Sequence, residues 1–291
     1  MKAAPFSYVR ATSLADVFKL WSAAGPEAKL LAGGQSLLAT LAFRLSEPGA
    51  LIDISRVPEL AGIAQAGETI RIGAAVTHAE LGRHALVRRH LPLLAEAVPL
   101  IGHPAIRNRG TVGGSLAFAD PAAELPACAV ALDAVVIARS VAGERRIPAA
   151  RFFTGLYATA LAPGELIAAV EFPVARTGEQ SLILEVTRRS GDYAMAGVAA
   201  KSKVSGNTLI DPRLVFFGVG DRAALAARAM AAVAGKQVLA DTVAAAQAAL
   251  AADLNPTSDQ HGGPETKRHL ARVLLARALK RLSGSEEARA A

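Results

Sequence analysis

One cysteine in 291 residues is the sequence's most consequential shortage. Cys128 has no partner for an intrachain disulfide, and a single thiolate builds neither a Cys-ligated zinc site nor a self-held iron–sulfur cluster. Aromatic residues make up only 4% of the chain. No aromatic-rich strand offers the stacking platform that single-stranded nucleic acid uses. The six histidines include no pair four residues apart with a nearby carboxylate, which argues against a metal site. No nucleophile elbow occurs, so a hydrolase reading has no support. Charges, glycine or proline interrupt every apolar run before it reaches the length of a bilayer span. Met1-Lys2-Ala3-Ala4-Pro5-Phe6 carries no signal-peptide core. The chain therefore reads as cytoplasmic, with no membrane span.

What is abundant is aliphatic. The apolar fraction of 52% excludes disorder and suits a mixed α/β protein with one large or two medium domains. Net charge is +7, from 32 Lys and Arg against 25 Asp and Glu. The basic residues come in scattered pairs (Arg88-Arg89, Arg145-Arg146, Arg188-Arg189, Lys267-Arg268) and never as a tract. That distribution argues against nucleic acid and for an acidic protein partner or an anionic cofactor.

Two glycine pairs carry the functional signal: Ala32-Gly33-Gly34-Gln35-Ser36 and Thr111-Val112-Gly113-Gly114-Ser115. Each follows a short apolar run and ends in a hydroxyl residue. A peptide that turns several backbone N–H groups toward one anion needs this composition, because glycine removes the Cβ that blocks approach and permits positive φ. A single such pair is ordinarily only a turn. Two of them could grip both halves of a dinucleotide diphosphate.

Along the chain, Ser13 and Asp16 sit in capping-box spacing at the head of a helix running to Ala24. Lys29–Ala32 reads as a buried strand entering the first glycine loop, Leu37–Leu45 as helical, and Ala50–Ile54 as a strand. Gly62–Val76 reads as a hairpin turning at Gly67, and Thr77 with Glu80 opens another helix. Glu124–Leu132 reads as an apolar helix, Val135–Ala138 and Glu165–Phe172 as strands. Polar residues 175–180 mark a boundary. Beyond it come three strands (182–188, 194–204, 208–217) and then three alanine-rich helices near 221–234, 238–251 and 265–282. Strands and helices in separate blocks indicate an α+β domain. Residues 283–291 read as a frayed end.

With both loops in view, the chain resembles the flavin-binding medium subunit of the molybdenum hydroxylases, the group of carbon monoxide, xanthine, aldehyde and N-heterocycle dehydrogenases. The likeness spans nearly the whole chain. It rests on Leu30–Leu37, on the string Ile106-Arg107-Asn108-Arg109-Gly110-Thr111-Val112-Gly113-Gly114-Ser115, on Asp120–Pro126, and on Arg188-Arg189-Ser190-Gly191-Asp192-Tyr193-Ala194. It implies a two-part α/β FAD-binding domain of the PCMH type over 1–176. A C-terminal α+β domain over 177–285 would follow, with a three-stranded antiparallel sheet and a helical bundle.

The resemblance assigns Leu31, Ala32, Gly33, Gly34, Gln35, Ser36 and Leu37, together with Gly110, Thr111, Val112, Gly113, Gly114 and Ser115, to the FAD diphosphate and ribityl chain. Ile101 joins them. Glu124 falls where the family places an acid toward the sugar hydroxyls, and a carboxylate accepts two such bonds. Ile167 matches an aliphatic position against the flavin, and Tyr193 an aromatic one beside the isoalloxazine. Gln35 stands where more distant flavoenzymes use His for a covalent bond, so FAD is expected to be held non-covalently. Relatives with Asn at position 115 gain an amide contact where Ser115 offers a hydroxyl.

No catalytic acid or base is assigned in this chain, and no metal. The resemblance implies a large molybdenum-cofactor subunit and a small [2Fe-2S] subunit, arranged as a dimer of heterotrimers. A stand-alone FAD-dependent oxidoreductase and a flavin-free binding protein remain as alternatives. Arg107 and Arg109 either neutralise the diphosphate or brace the loop through backbone carbonyls, with bracing preferred. His103 either bonds the flavin or is structural, with the structural role preferred. Asp192 reads as a turn residue and Cys128 as core.

Overall fold

Aliphatic runs flanked by glycine and proline fold here into three principal sheets. The computed structural model describes residues 2–284, so the frayed end expected from 283 lies, from residue 285 on, outside the described residues.

The first sheet is parallel, with strands Ser7–Arg10 (β1), Ala28–Leu31 (β2) and Ala50–Asp53 (β3) in the order β1-β3-β2. All four residues of β3 are buried, as a central parallel strand requires. Helix Leu14–Ala24 (α1) makes the crossover. Its cap is the expected one, with Ser13 Oγ accepting the Asp16 N–H at 3.1 Å. The chain leaves β2 through the first glycine loop into a short helix, Leu37–Ala42 (α2).

The second sheet is antiparallel: Ile63–Ala66 (β4), Thr69–Gly73 (β5), Val135–Ser140 (β6), Gly143–Pro148 (β7) and, after a small hairpin of Phe153–Gly155 (β8) with Ala158–Thr159 (β9), Leu166–Pro173 (β10). The spatial order is β4-β5-β10-β6-β7. Central β10 is buried from Leu166 to Val170, whereas edge strand β7 carries exposed Glu144, Arg145 and Arg146 and ends in Pro148. Charge and proline at an edge deter pairing with another chain. Between β5 and β6 run helices His78–Arg83 (α3), Ala85–His90 (α4), Pro92–Ala97 (α5), Pro104–Arg107 (α6), Val112–Phe118 (α7) and Glu124–Ala131 (α8). All eight residues of α8 are buried, because it lies between α5, α7 and the sheet of the C-terminal part. After β7 comes one further turn of helix, Ala149–Phe152 (α9).

The C-terminal sheet contains the three expected strands, Glu179–Val186 (β11), Ala196–Ser205 (β12) and Thr208–Phe217 (β13), in antiparallel register. A two-residue strand, Ala224–Leu225 (β14), extends it to four. That strand delays the first alanine-rich helix to Ala227–Val233 (α10), whose opening N–H groups at Arg228 and Ala229 donate to the distant Asp253 carboxylate. Ala240–Leu250 (α11) and Pro264–Leu282 (α12) complete the helical layer.

Gly197 on β12 pairs directly with Phe217 on β13, and a Cβ there would overlap the phenyl ring. The buried ring occupies the space that glycine leaves. Gly197→Val should therefore destabilise the fold by about 2 kcal/mol through overpacking, read as a lower denaturant midpoint with an unchanged slope.

Candidate functional site

The two glycine segments touch. Gly33 is buried against the Arg109–Gly110 backbone so closely that a Cβ would overlap the Arg109 carbonyl oxygen, and a Cβ on Gly114 would lie 3.9 Å from that of Ala32. Their backbones nevertheless do different work. In the first segment Gly34 takes φ +75°, and among the described residues the N–H groups of Gly33, Gly34, Gln35 and Ser36 donate to no acceptor. Gln35 folds back, Nε2 donating to the Gly33 carbonyl at 3.2 Å. Ser36 caps α2 by position, without a side-chain bond, and Leu31 and Leu37 frame the turn. These unclaimed donors are what an anion requires.

The second segment is the first turn of α7. Thr111 is its N-cap, with Oγ1 accepting the Gly114 N–H at 3.1 Å. Val112 and Gly113 donate to the Val76 and Ala74 carbonyls at 2.9 Å, and Ser115 donates to the Thr111 carbonyl. Four of its amides are thus spent on structure. Gly113 packs on Ala74, where a Cβ would stand 2.5 Å away. What this segment offers outward is the helix start, the bare face of Gly114 and the half-buried Ser115.

Beneath lies a residue that the sequence does not advertise. His78 is buried, its Nε2 lies 3.1 Å from the Thr111 carbonyl, and its Nδ1 has no partner. Gly110 rests on the imidazole: a Cβ there would sit 3.0 Å from Cε1. Burial, with Arg107 nearby, pushes the His78 pKa down to about 4. Arg107 does brace the loop, as preferred, donating from Nη1 to the carbonyls of Pro99, Ile101 and Gly102 at 3.2, 3.0 and 2.7 Å. The Arg109 guanidinium is exposed and without a partner among the described residues. Ile101 is buried, its carbonyl taken by Arg107.

From α7 the chain turns through Ala119 (φ +54°) and an Asx turn in which Asp120 Oδ1 accepts the Ala122 N–H at 2.9 Å. Glu124 then opens α8. Burial raises its pKa to about 8, assisted by Glu185 on β11 and by Asp120. Glu185, with a buried oxygen that has no partner, is raised to about 7 by burial. At pH 7 Glu124 is thus a neutral acid, with one donor as well as acceptors, in place of the expected carboxylate. Asp120 and Glu124 both act on the Tyr193 hydroxyl. Tyr193 is 57% exposed and follows a turn in which Gly191 packs on the His103 ring, which supports the structural role for His103. Asp192 donates its N–H to Arg189 within that turn. Ile167 is buried in β10, next to Ala168, whose carbonyl takes the Ala74 N–H under Gly113.

The glycine segments thus meet backbone to backbone, Glu124 lies near enough to Tyr193 to act on its hydroxyl, and Ile101 and Ile167 are buried in the core. Cys128 lies wholly buried on α8, as core. Sequence reasoning missed His78, Glu185 and Tyr157. Tyr157, at the β8–β9 turn, lies close enough to Asp120 and Tyr193 to feel both.

This architecture is that of a flavin-carrying subunit, and comparison with known proteins agrees. Residues 4–175 match the FAD binding domain in molybdopterin dehydrogenase, and 183–282 match the CO dehydrogenase flavoprotein C-terminal domain. The chain belongs to the family of FAD-binding medium subunits of molybdenum hydroxylases. It is 39% identical to the 6-hydroxypseudooxynicotine dehydrogenase complex subunit alpha of Paenarthrobacter nicotinovorans, over 96% of this chain and 95% of that one. It is 36% identical to the carbon monoxide dehydrogenase medium chain of Hydrogenophaga pseudoflava, over 94% and 96%. Among solved structures, carbon monoxide dehydrogenase from Hydrogenophaga pseudoflava superposes with a TM-score of 0.93 at 37% identity, covering 96% of this chain and 98% of that one. Quinoline 2-oxidoreductase from Pseudomonas putida 86 gives 0.92 at 36%, covering 98% and 99%.

The buried imidazole makes the loop sensitive to acid. The fold favours neutral His78, so the unfolded chain takes the proton first. The stability it contributes is complete above pH 6.5 and is lost as pH falls toward 4, about 3 kcal/mol in full. His78→Gln, whose amide can still donate to the Thr111 carbonyl, should flatten the stability-against-pH curve over that window relative to the parent. The check is chemical denaturation at pH 7, 6, 5 and 4.

Proposed function

We propose that the chain holds one FAD non-covalently along the seam between Ala32–Ser36 and Gly110–Ser115, as the flavin-bearing electron relay of its complex. The observation that carries this reading is the set of four unclaimed amides at 33–36 beside the side-chain-free face of Gly114. Bound there, FAD would supply the redox chemistry that links partner iron–sulfur clusters to an external acceptor. The chain's own residues bind and orient it. The 33–36 amides and the free Arg109 charge hold the diphosphate, and Glu124, neutral, exchanges hydrogen bonds with sugar hydroxyls. Tyr193 screens the ring from water, with Ile101 and Ile167 as the apolar backing. Gln35 cannot form the covalent link that His makes elsewhere.

Kinship with medium subunits of multi-subunit dehydrogenases supports the rest of the reading. A large subunit carries the molybdenum cofactor and a small one the [2Fe-2S] clusters, in a dimer of heterotrimers in the cytoplasm. The chain divides into a flavin domain, 1–176, and a C-terminal domain, 177–285. No described helix is long and apolar enough to cross a membrane.

The test is the absorbance spectrum of the protein purified with whatever subunits accompany it, followed by acid release of the chromophore. About one FAD per chain, freely released, is the expected result, with molybdenum and iron in the companion subunits. Gly114→Val should lose the flavin, since the side chain enters the seam. It also crowds the Thr111 cap, where a Cβ would meet Oγ1 at 2.8 Å, so melting curves must accompany it. A folded variant with full flavin content would refute the placement.

A further inference from the structure

The β8–β9 hairpin holds an aromatic residue in an unfavourable conformation at a conspicuous place. Tyr157 has φ +52°, a left-handed backbone that a bulky side chain rarely adopts. The turn is clamped from the C-terminal part. Arg222 Nη1 donates to the Thr154 carbonyl at 2.7 Å, and a Cβ on Gly155 would lie 3.8 Å from the Asp221 carboxylate. So held, the Tyr157 ring meets that of Phe118, with centroids 5.1 Å apart and planes tilted by 55°, yet the residue remains 55% exposed. Strain of this kind persists where surrounding structure enforces it, and it gathers at ligand sites.

Its position fits one ligand feature. Phe118 is the last residue of α7, which starts at the second glycine segment. At 1.5 Å per residue, those seven residues carry Phe118 about 10 Å from the phosphate end, a gap that a ribityl chain bridges. Asp120, two residues on, is near enough to both Tyr157 and Tyr193 to raise each phenol, and Tyr193 has the same effect on Tyr157. Two exposed tyrosines, one from each part of the chain, thus lie within electrostatic reach of each other, Tyr157 on the ring that closes α7.

We propose that Tyr157 is a positioning residue for the isoalloxazine ring, a second aromatic wall that works with Tyr193. This rests on the FAD reading above. Contact with the flavin plane buries apolar area on both partners and aligns the rings' charge distributions, and the strained turn supplies the ring without a search over conformations.

The experiment compares two probes on the full chain, purified with the subunits it carries and stripped of flavin. FAD reports the whole site, and ADP reports the diphosphate end alone. Tyr157→Ala should raise the Kd for FAD about tenfold, the scale of one aromatic contact, and should raise the emission of the bound flavin above the parent's, since one of its two quenching tyrosines is gone. The Kd for ADP should be unchanged, and Tyr157→Phe should retain the parent affinity. Tyr157→Gly, at ease with positive φ, should behave as the Ala variant does and carries the test if the Ala variant melts early. Parent-like FAD affinity and emission in both ring-less variants would overturn the proposal. A parent protein that binds neither FAD nor ADP would instead overturn the cofactor reading itself.

Discussion

Gly33 lies so close to the Arg109 carbonyl that no other residue fits there, and most of the site is arranged to keep that approach open. Backbone meets backbone across the first sheet and the helical segment between β5 and β6, two units that otherwise have separate cores. Gly113 seats α7 on Ala74, His78 props the Gly110–Thr111 peptide from below, and Arg107 ties three carbonyls of the preceding turn into one rigid arc. With α7 fixed, its hydrogen-bonding capacity is used up internally. The first loop stays open because its neighbours have already satisfied themselves.

Much of this was legible because it is local. Ser13 with Asp16 and Thr77 with Glu80 mark helix starts that the structure reproduces, since an N-cap depends on residues three apart. The hairpin at Gly67 and the three long C-terminal strands follow from alternation and turn chemistry. Strands β1, β7, β8, β9 and β14 did not announce themselves. Glu144-Arg145-Arg146 has no apolar alternation, and its strand character comes from pairing with β6. The glycine segments were visible by composition, but the contrast between free amides in one and spent amides in the other was not. It arises from Ala74 and Val76 carbonyls some forty residues upstream. His78, Tyr157 and Glu185 were invisible for the same reason, each gaining its role from a distant contact.

The electrostatics separate the inside from the outside. On the second sheet Arg71 and Arg146 share the Glu171 carboxylate. Around the path, ionisable groups are stripped of charge: burial keeps Glu124 protonated and His78 deprotonated at neutral pH. In the proposed placement, a dianionic diphosphate at this seam would meet amide dipoles and the Arg109 guanidinium, with Glu124 already neutral. That arrangement avoids repulsion without requiring a dedicated positive patch, which is why the chain's overall basicity of +7 says little about where the site is.

The wall bearing Tyr193 depends on residues made late. Gly218 donates its N–H to the Pro121 carbonyl at 2.7 Å, and its own carbonyl is held by the buried Lys267 ammonium, which also meets Asp259. Arg188 reaches the Gln260 carbonyl in the same loop. A chain emerging from the ribosome completes its glycine segments with more than half its length still to come, but it cannot fasten this wall until Lys267 has appeared. The glycine segments are thus complete early in synthesis and the bonds that tie Gly218 to Pro121 and Lys267 form last, so this side of the fold closes only once nearly the whole chain is present.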